Sequence, residues 1–194
     1  MKTFPPSPLA GFSDQFITTQ GVIAVHASPA DLDRLVTHAL VSLANQRERV
    51  AVIAVNTYFD SYGITRLARE QYLNPQSVRQ QIQVVHADTI YQVQQGVQRL
   101  ATSSERFSNI FVLKLLEPFF NKRIAPVEAQ KVLTKTLDTL QELGAHRARV
   151  LITVPPAKNP TRSYLIAQVE RMADSYIQIP TAAQPIEPMQ AALF

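Results

Sequence analysis

Short apolar runs alternate with amphipathic stretches along most of this chain. Continuous apolar runs of strand length, such as Val50–Val55, are typical of strands buried on both faces of a sheet. The stretches between them repeat apolar residues at three- and four-residue steps, which is the period of a helix with one buried face. The pattern predicts six strands, at Val22–His26, Val50–Val55, Ile82–Val85, Ile110–Leu115, Arg149–Val154 and Tyr176–Ile179.

The segments between these strands predict helices with recognisable ends. Ser28, Pro29 and Asp31 form a capping signal ahead of the first amphipathic stretch. Gly144 is expected to end the longest helix at a C-terminal cap. The helices are predicted after Ser28, around Ile64–Gln71, over Thr89–Ala101, over Pro126–Leu143 and near Tyr164–Ala173, with a short turn or helix opening at Asn74-Pro75. Alternating strands and helices predict a doubly wound α/β fold with a mostly parallel sheet and helices on both faces.

Composition divides the chain into three parts. Residues 1–20 are rich in Pro and Ser and predict an extended arm, residues 21–179 form the α/β domain, and residues 180–194 predict a flexible tail. With 194 residues, no cysteine and no long apolar stretch, the chain is expected to be one cytoplasmic domain with no membrane segment. The net charge of +4 permits a nucleic-acid partner without indicating one.

Glycine is scarce, and this excludes several kinds of site. Only five glycines occur, and they lie far apart, so the sequence contains no glycine-rich loop that could cradle phosphates. The four histidines form no HxxH or HExxH pair, and no GxSxG sequence presents a nucleophilic serine. We therefore predict no metal and no cofactor, and interpret the histidines as structural.

Three stretches resemble the core of the RecA/RadA-type recombinases. NTYFDSYGITRLAREQYLNP, followed by IQVVHADTIYQVQQGVQRL, is similar to the middle of that core. NIFVLKLLEPFFNKRIAPVEAQKVLTKTLDTLQELGAHRARVLITV resembles its Walker B strand, first DNA-binding loop, long helix and next strand. The resemblance covers roughly residues 21–179 and implies a RecA-like fold. The alternative is another doubly wound protein, an enzyme on a Rossmann-like fold included.

The positions that carry ATP hydrolysis in that family are occupied by other residues here. Asp33 and Arg34 fall near the essential Lys-Thr pair, and no lysine is available to reach the phosphates. Lys114 stands at the Walker B carboxylate and cannot ligate Mg²⁺, while Asn56 stands at the catalytic glutamate and cannot act as a base. The resemblance therefore implies a pseudo-ATPase rather than an enzyme.

The tail ends in the residues QAALF, which resemble the short peptide by which bacterial polymerases and repair proteins bind the sliding clamp. Leu193 and Phe194 are suited to an apolar pocket, and the Gln190 amide to hydrogen bonds that fix register. The Pro-rich stretch before them would extend the reach of the tail. The alternative is that the end of the tail folds back on the protein's own surface.

Two segments match the DNA-binding loops of the family, Phe119–Ile124 and Pro155–Arg162. Their cations would meet phosphates and their phenylalanines would stack on bases, or they form ordinary surface and core. The candidate DNA contacts are Lys122, Arg123, Lys158, Arg162, Phe119 and Phe120.

Together these features predict a non-catalytic RecA-like accessory protein of bacterial DNA replication, repair or translesion synthesis. ImuA-type proteins of mutagenic polymerase complexes are similar in kind, and SulA-type division inhibitors are another RecA-like group without a P-loop. The expected partners are the sliding clamp, a translesion polymerase or a RecA-type recombinase, and single-stranded DNA. The second hypothesis is a recombination mediator that pairs with an active recombinase, with the N-terminal arm adding an edge strand to its neighbour.

Overall fold

The computed structural model describes residues 20–103, 107–146, 148–156 and 160–179. Six strands and six α-helices alternate over these ranges, as the periodicity predicts. The strands are β1 Val22–His26, β2 Val50–Val55, β3 Ile82–Ala87, β4 Asn109–Leu113, β5 Arg149–Val154 and β6 Ser175–Gln178. The helices are α1 Pro29–Asn45, α2 Ser61–Glu70, α3 Pro75–Gln80, α4 Ile90–Thr102, α5 Pro126–His146 and α6 Tyr164–Met172, with short 3₁₀ turns at Pro118–Phe120 and Pro160–Arg162.

The strands form a single sheet in the order β3-β2-β4-β5-β1-β6, and every pair in it is parallel. Helices α1, α2 and α3 pack on one face and α4, α5 and α6 on the other, each over its own apolar cluster. Side chains of β2 are buried along its whole length, as its unbroken apolar run predicts. The fold is therefore α/β and doubly wound, as predicted, and is consistent with a RecA-like core.

Several predicted boundaries differ from the observed ones, and for two of them the structure shows the cause. Strand β4 ends at Leu113 rather than Leu115, because Lys114 takes a left-handed conformation with φ 56° that leaves the strand. Helix α5 passes through Gly144 and ends at His146. A β-carbon at Gly144 would lie 2.8 Å from Val22 Cγ2 and 3.1 Å from the carbonyl carbon of Gly21. Glycine is thus required there for close packing of α5 on β1 rather than for a cap.

A polar cluster ties the strands together at the amino edge of the sheet, opposite the ends that carry ligands in such folds. Glu48 accepts hydrogen bonds from Arg149 and from Asn109 Nδ2, and Arg149 Nε also donates to Asn109 Oδ1. Burial raises the pKa of the Glu48 carboxyl, but the hydrogen bonds from Arg149 and Asn109 outweigh it and hold the pKa below its ordinary value. This cluster satisfies Asn109, which is completely buried.

Candidate functional site

The connection between β1 and α1 consists of only two residues, Ala27 and Ser28. The Ser28 hydroxyl accepts a hydrogen bond from the Asp31 backbone N–H at 3.2 Å and lies 2.6 Å from Asp31 Oδ2, to which it donates. A helix N-terminus in this position is where α/β proteins bind phosphate. Here the chain's own Asp31 carboxylate lies at that terminus, and the connection is too short to wrap around an anion. Asp33 and Arg34 follow on the exposed side of α1.

Lys114 lies directly beyond the carboxyl end of β4 and points toward the end of β2. Its backbone N–H donates to Thr153 Oγ1 at 2.8 Å, and its ammonium donates to Thr57 Oγ1 at 2.9 Å. Thr153 is buried, so the first of these bonds satisfies a hydroxyl that water does not reach. Lys114 therefore links the ends of three adjacent strands, β2, β4 and β5, and holds a positive charge between them.

The loop after β2 is held in place at several points. Asn56 is exposed, has φ 45°, and donates its backbone N–H to the Ala87 carbonyl at 3.0 Å. Asp60 caps α2 by accepting from the Gly63 N–H at 2.8 Å. The Asn56 side chain has no hydrogen-bonding partner among the described residues, and the backbone turn that it occupies favours Asn or Gly.

A small cavity of about 80 Å³ lies between α1 and this loop, with Asp33, Thr57, Asp60, Lys114 and Thr153 among its walls. Pockets that take small molecules usually measure about 300–1,000 Å³. The cavity is therefore far smaller than a nucleotide site. Within its walls the Lys114 ammonium already donates to the Thr57 hydroxyl. Of the four positions Asp33, Arg34, Asn56 and Lys114, the first and the last line this nearly filled space, whereas Arg34 and Asn56 do not.

The predicted DNA contacts divide into buried and exposed residues. Phe119 has no accessible surface on which a base could stack, and Phe120 is half-buried against the same apolar cluster. Arg162 is also buried, with its two terminal nitrogens donating to the carbonyls of Phe119 and Ile124. This corrects the expectation for Phe119 and Arg162, because neither presents its side chain to a DNA strand in this conformation.

Lys122 and Arg123 are exposed, as a ligand-binding role requires. The Asn121 side chain shapes their loop by accepting from the Arg123 backbone N–H at 3.0 Å. Four other predicted residues, Lys158, Gln190, Leu193 and Phe194, lie outside the described residues.

Several tyrosines at the carboxyl edge are exposed, and the sequence pattern does not predict this. Tyr58 is 99% exposed, Tyr62 76%, Tyr91 53% and Tyr164 38%, and all four follow strand ends in loops or first helical turns. The Tyr91 hydroxyl donates to the Glu128 carboxylate, and this hydrogen bond raises the pKa of Tyr91. Helical spacing does not identify these residues, because tyrosine in a first turn is compatible with burial or exposure.

Strand β3 is an open edge of the sheet. The carbonyls of Gln81 and Ala87 accept hydrogen bonds from the β2 side, so the residues of the opposite parity, Ile82, Val84 and His86, direct their backbone groups away from β2. An open cleft of about 760 Å³ lies beside this edge, with Ile82 and Val84 on its floor and Arg69 and Arg79 on its walls.

A comparison of the chain with protein-family models gives no match, and none of the curated proteins matches it either. The described helices include none that is both long enough and apolar enough to cross a membrane. In the same described part of the chain, no group of three or more histidine or acidic side chains is arranged to hold a metal ion. Function must therefore be argued from the geometry of the residues themselves.

Proposed function

We propose that this protein is a cytoplasmic, non-catalytic RecA-like accessory protein of bacterial DNA replication, repair or translesion synthesis. In this proposal its tail binds the sliding clamp through Gln190, Leu193 and Phe194. Its α/β domain then brings a translesion polymerase or a related partner to the clamp without hydrolysing ATP.

The observation that carries the non-catalytic part is the hydrogen-bonded Lys114. In the resemblance to the recombinases, Lys114 replaces the carboxylate that would supply an oxygen ligand to Mg²⁺, and its ammonium donates to Thr57 Oγ1. The Asp31 carboxylate at the start of α1 adds a charge that repels a triphosphate. Calorimetric titration with Mg-ATP is expected to give no stoichiometric signal, and a clear one-to-one signal would contradict the proposal.

The tail provides the direct test of the clamp. Replacing Gln190, Leu193 and Phe194 by alanine removes the amide and both apolar anchors, so co-elution with a purified bacterial clamp should be lost. A matched control replaces Gln184, Ile186 and Met189, which are also one glutamine and two apolar residues of the same tail. Loss with the first variant and retention with the control is expected. Equal binding by both variants would contradict the role of QAALF.

The second candidate function is a recombination mediator that pairs with an active recombinase on single-stranded DNA. The open edge of β3 and the cleft beside it favour this candidate, because an extended segment of a neighbour can add to such an edge. Lys122 and Arg123 remain its proposed DNA contacts. Co-purification with a recombinase and a gel shift with single-stranded DNA test the two halves of this candidate.

Proline substitutions on β3 test the use of this edge. Val84→Pro removes an outward-facing N–H and keeps the bonds to β2, whereas Gln83→Pro removes an inward-facing donor. We expect Val84→Pro to fold and to lose recombinase binding. Gln83→Pro should be destabilised by about 1–3 kcal/mol, because a carbonyl of β2 loses its donor. A folded Val84→Pro protein that still pairs with the recombinase would exclude the edge as the contact.

A further inference from the structure

The first turns of α4, α5 and α6 and the loop after β4 meet at the carboxyl edge of the sheet, on the face that these three helices cover. Arg162 donates to the carbonyls of Phe119 and Ile124, which holds the start of α6 against the loop after β4. The hydrogen bond from Tyr91 to Glu128 holds the start of α4 against the start of α5. Lys122 and Arg123 belong to the loop between these two contacts. We call the surface of Tyr91, Lys122, Arg123, Val127 and Tyr164 the rim surface.

The rim surface combines exposed apolar groups with unpaired cations. Val127 is 78% exposed, and Tyr91 and Tyr164 also present large parts of their side chains to solvent. The side chains of Lys122 and Arg123 form no ion pair with a carboxylate within the described ranges. Tyrosine and arginine are enriched in protein interfaces, where rigid aromatic side chains anchor a partner.

The loop that carries the cations is held in one conformation before any partner arrives. The Asn121 side chain accepts from Arg123, its carbonyl accepts from the Ile124 N–H at 3.1 Å, and Phe119 is buried beneath. Because little of this backbone has to be ordered on binding, a partner would lose little affinity to conformational entropy.

The surrounding charges favour a protein partner over a nucleic acid. Exposed carboxylates follow other strands at this edge, at Asp33, Asp60 and Asp88. A phosphate backbone running along the edge would meet these carboxylates, whereas a short acidic peptide can be confined to the two cations. Val127 has no π face for a base, but it can pack against an aliphatic or aromatic side chain.

We propose that the rim surface binds an acidic segment of a partner protein. The carboxylates of that segment pair with Lys122 and Arg123, and its apolar side chains pack on Tyr91, Val127 and Tyr164. This contact is independent of the tail and of clamp binding.

The test uses the full chain and a fluorescent synthetic peptide built from Glu-Glu-Leu-Phe repeats, with anisotropy measured near physiological salt. A peptide with lysine in place of glutamate and a single-stranded oligo-dT are the comparison ligands. We expect Lys122→Glu with Arg123→Glu to weaken binding of the acidic peptide about tenfold, because both positive charges that pair with its carboxylates become negative. The control, Lys131→Glu with Lys135→Glu, makes the same change of net charge on the exposed face of α5 and should leave affinity nearly unchanged.

A second pair of variants tests the apolar anchors. Val127→Ser with Tyr164→Ser should weaken binding of the acidic peptide severalfold. Tyr72→Ser, which alters a more exposed tyrosine just beyond the C-terminal end of α2, should not. If the control variant Lys131→Glu with Lys135→Glu weakened peptide binding equally, the contact would be a general electrostatic attraction, and the proposal would be overturned. Absence of acidic-peptide binding, or tighter oligo-dT binding that depends on the same residues, would overturn it as well. None of these results bears on the clamp tail.

Discussion

Replacement of Arg162 by alanine distinguishes a structural guanidinium from one that contacts DNA. Its two terminal nitrogens donate to the carbonyls of Phe119 and Ile124, and the residue is only 6% exposed. Hydrogen bonds from a charged donor contribute roughly 1.5–3 kcal/mol each, which gives about 3–6 kcal/mol for the pair. Removing a buried charge also removes its desolvation cost, and water can reach the half-buried Ile124, so we expect a net loss of about 3 kcal/mol.

Urea unfolding followed by far-ultraviolet circular dichroism measures this loss directly. The matched control is Arg123→Ala, which removes an exposed arginine from the loop that Arg162 contacts and should change stability by less than about 0.5 kcal/mol. Arg162→Lys should recover only part of the loss, because a single ammonium replaces a planar group with separate donors for the two carbonyls. A loss below about 1 kcal/mol for Arg162→Ala would refute the structural role and return Arg162 to the candidate DNA contacts.

Three further changes test other parts of the structure. The pKa of Glu48 is lower in the folded state than its unfolded value of about 4.3, so Glu48 stabilises the fold above that value. This contribution is lost as the pH falls through the folded-state pKa. Glu48→Gln should therefore flatten the acid limb of a stability–pH curve measured by urea unfolding. Gly144→Ala should lower the free energy of unfolding by about 1–2 kcal/mol in spite of the better helix propensity of alanine, because its β-carbon meets Val22 and the Gly21 backbone; a stabilised variant would contradict this packing. Lys114→Asp should lower the thermal midpoint, because Thr57 loses its donor and the new carboxylate shares a small cavity with Asp33 and Asp60. The variant should still show no ATP binding by calorimetry, and stoichiometric ATP binding would contradict the reasoning.

The fold could be predicted because its signals are local. The apolar run of β2 and the three- and four-residue spacing on α1 both report burial within one element. The capping signal at Ser28 is also local, and the structure confirms it through the bond to Asp31. Gly144 shows the limit of this approach, because a glycine near the end of a helical pattern has the same sequence signature whether it caps the helix or admits a neighbouring strand.

The candidate surfaces depend on contacts between distant parts of the chain, and these have no local signature. Arg162 was grouped with Lys122 and Arg123 by its charge and by its place in a segment that matches a DNA-binding loop. Its partners, however, lie some forty residues earlier, at Phe119 and Ile124. The same holds for Tyr91, whose position beside α5 follows from its bond to Glu128. Sequence reasoning could name the charged and aromatic residues, but only the packing of α4, α5 and α6 determines which of them face solvent.

The charges at the carboxyl edge are arranged in the reverse of what a nucleotide and its metal ion require. In nucleotide-binding α/β proteins the first helix N-terminus meets an anion, and neighbouring strand ends supply oxygen ligands to a cation. Here an aspartate carboxylate, Asp31, already lies at that N-terminus, and an ammonium, Lys114, already occupies the strand ends. The chain thus carries both the anion and the cation that a ligand would otherwise bring. Under the proposed function, a site that already holds these two charges gains little from binding Mg-ATP. Partner binding at the rim surface and through the tail would then not depend on a nucleotide.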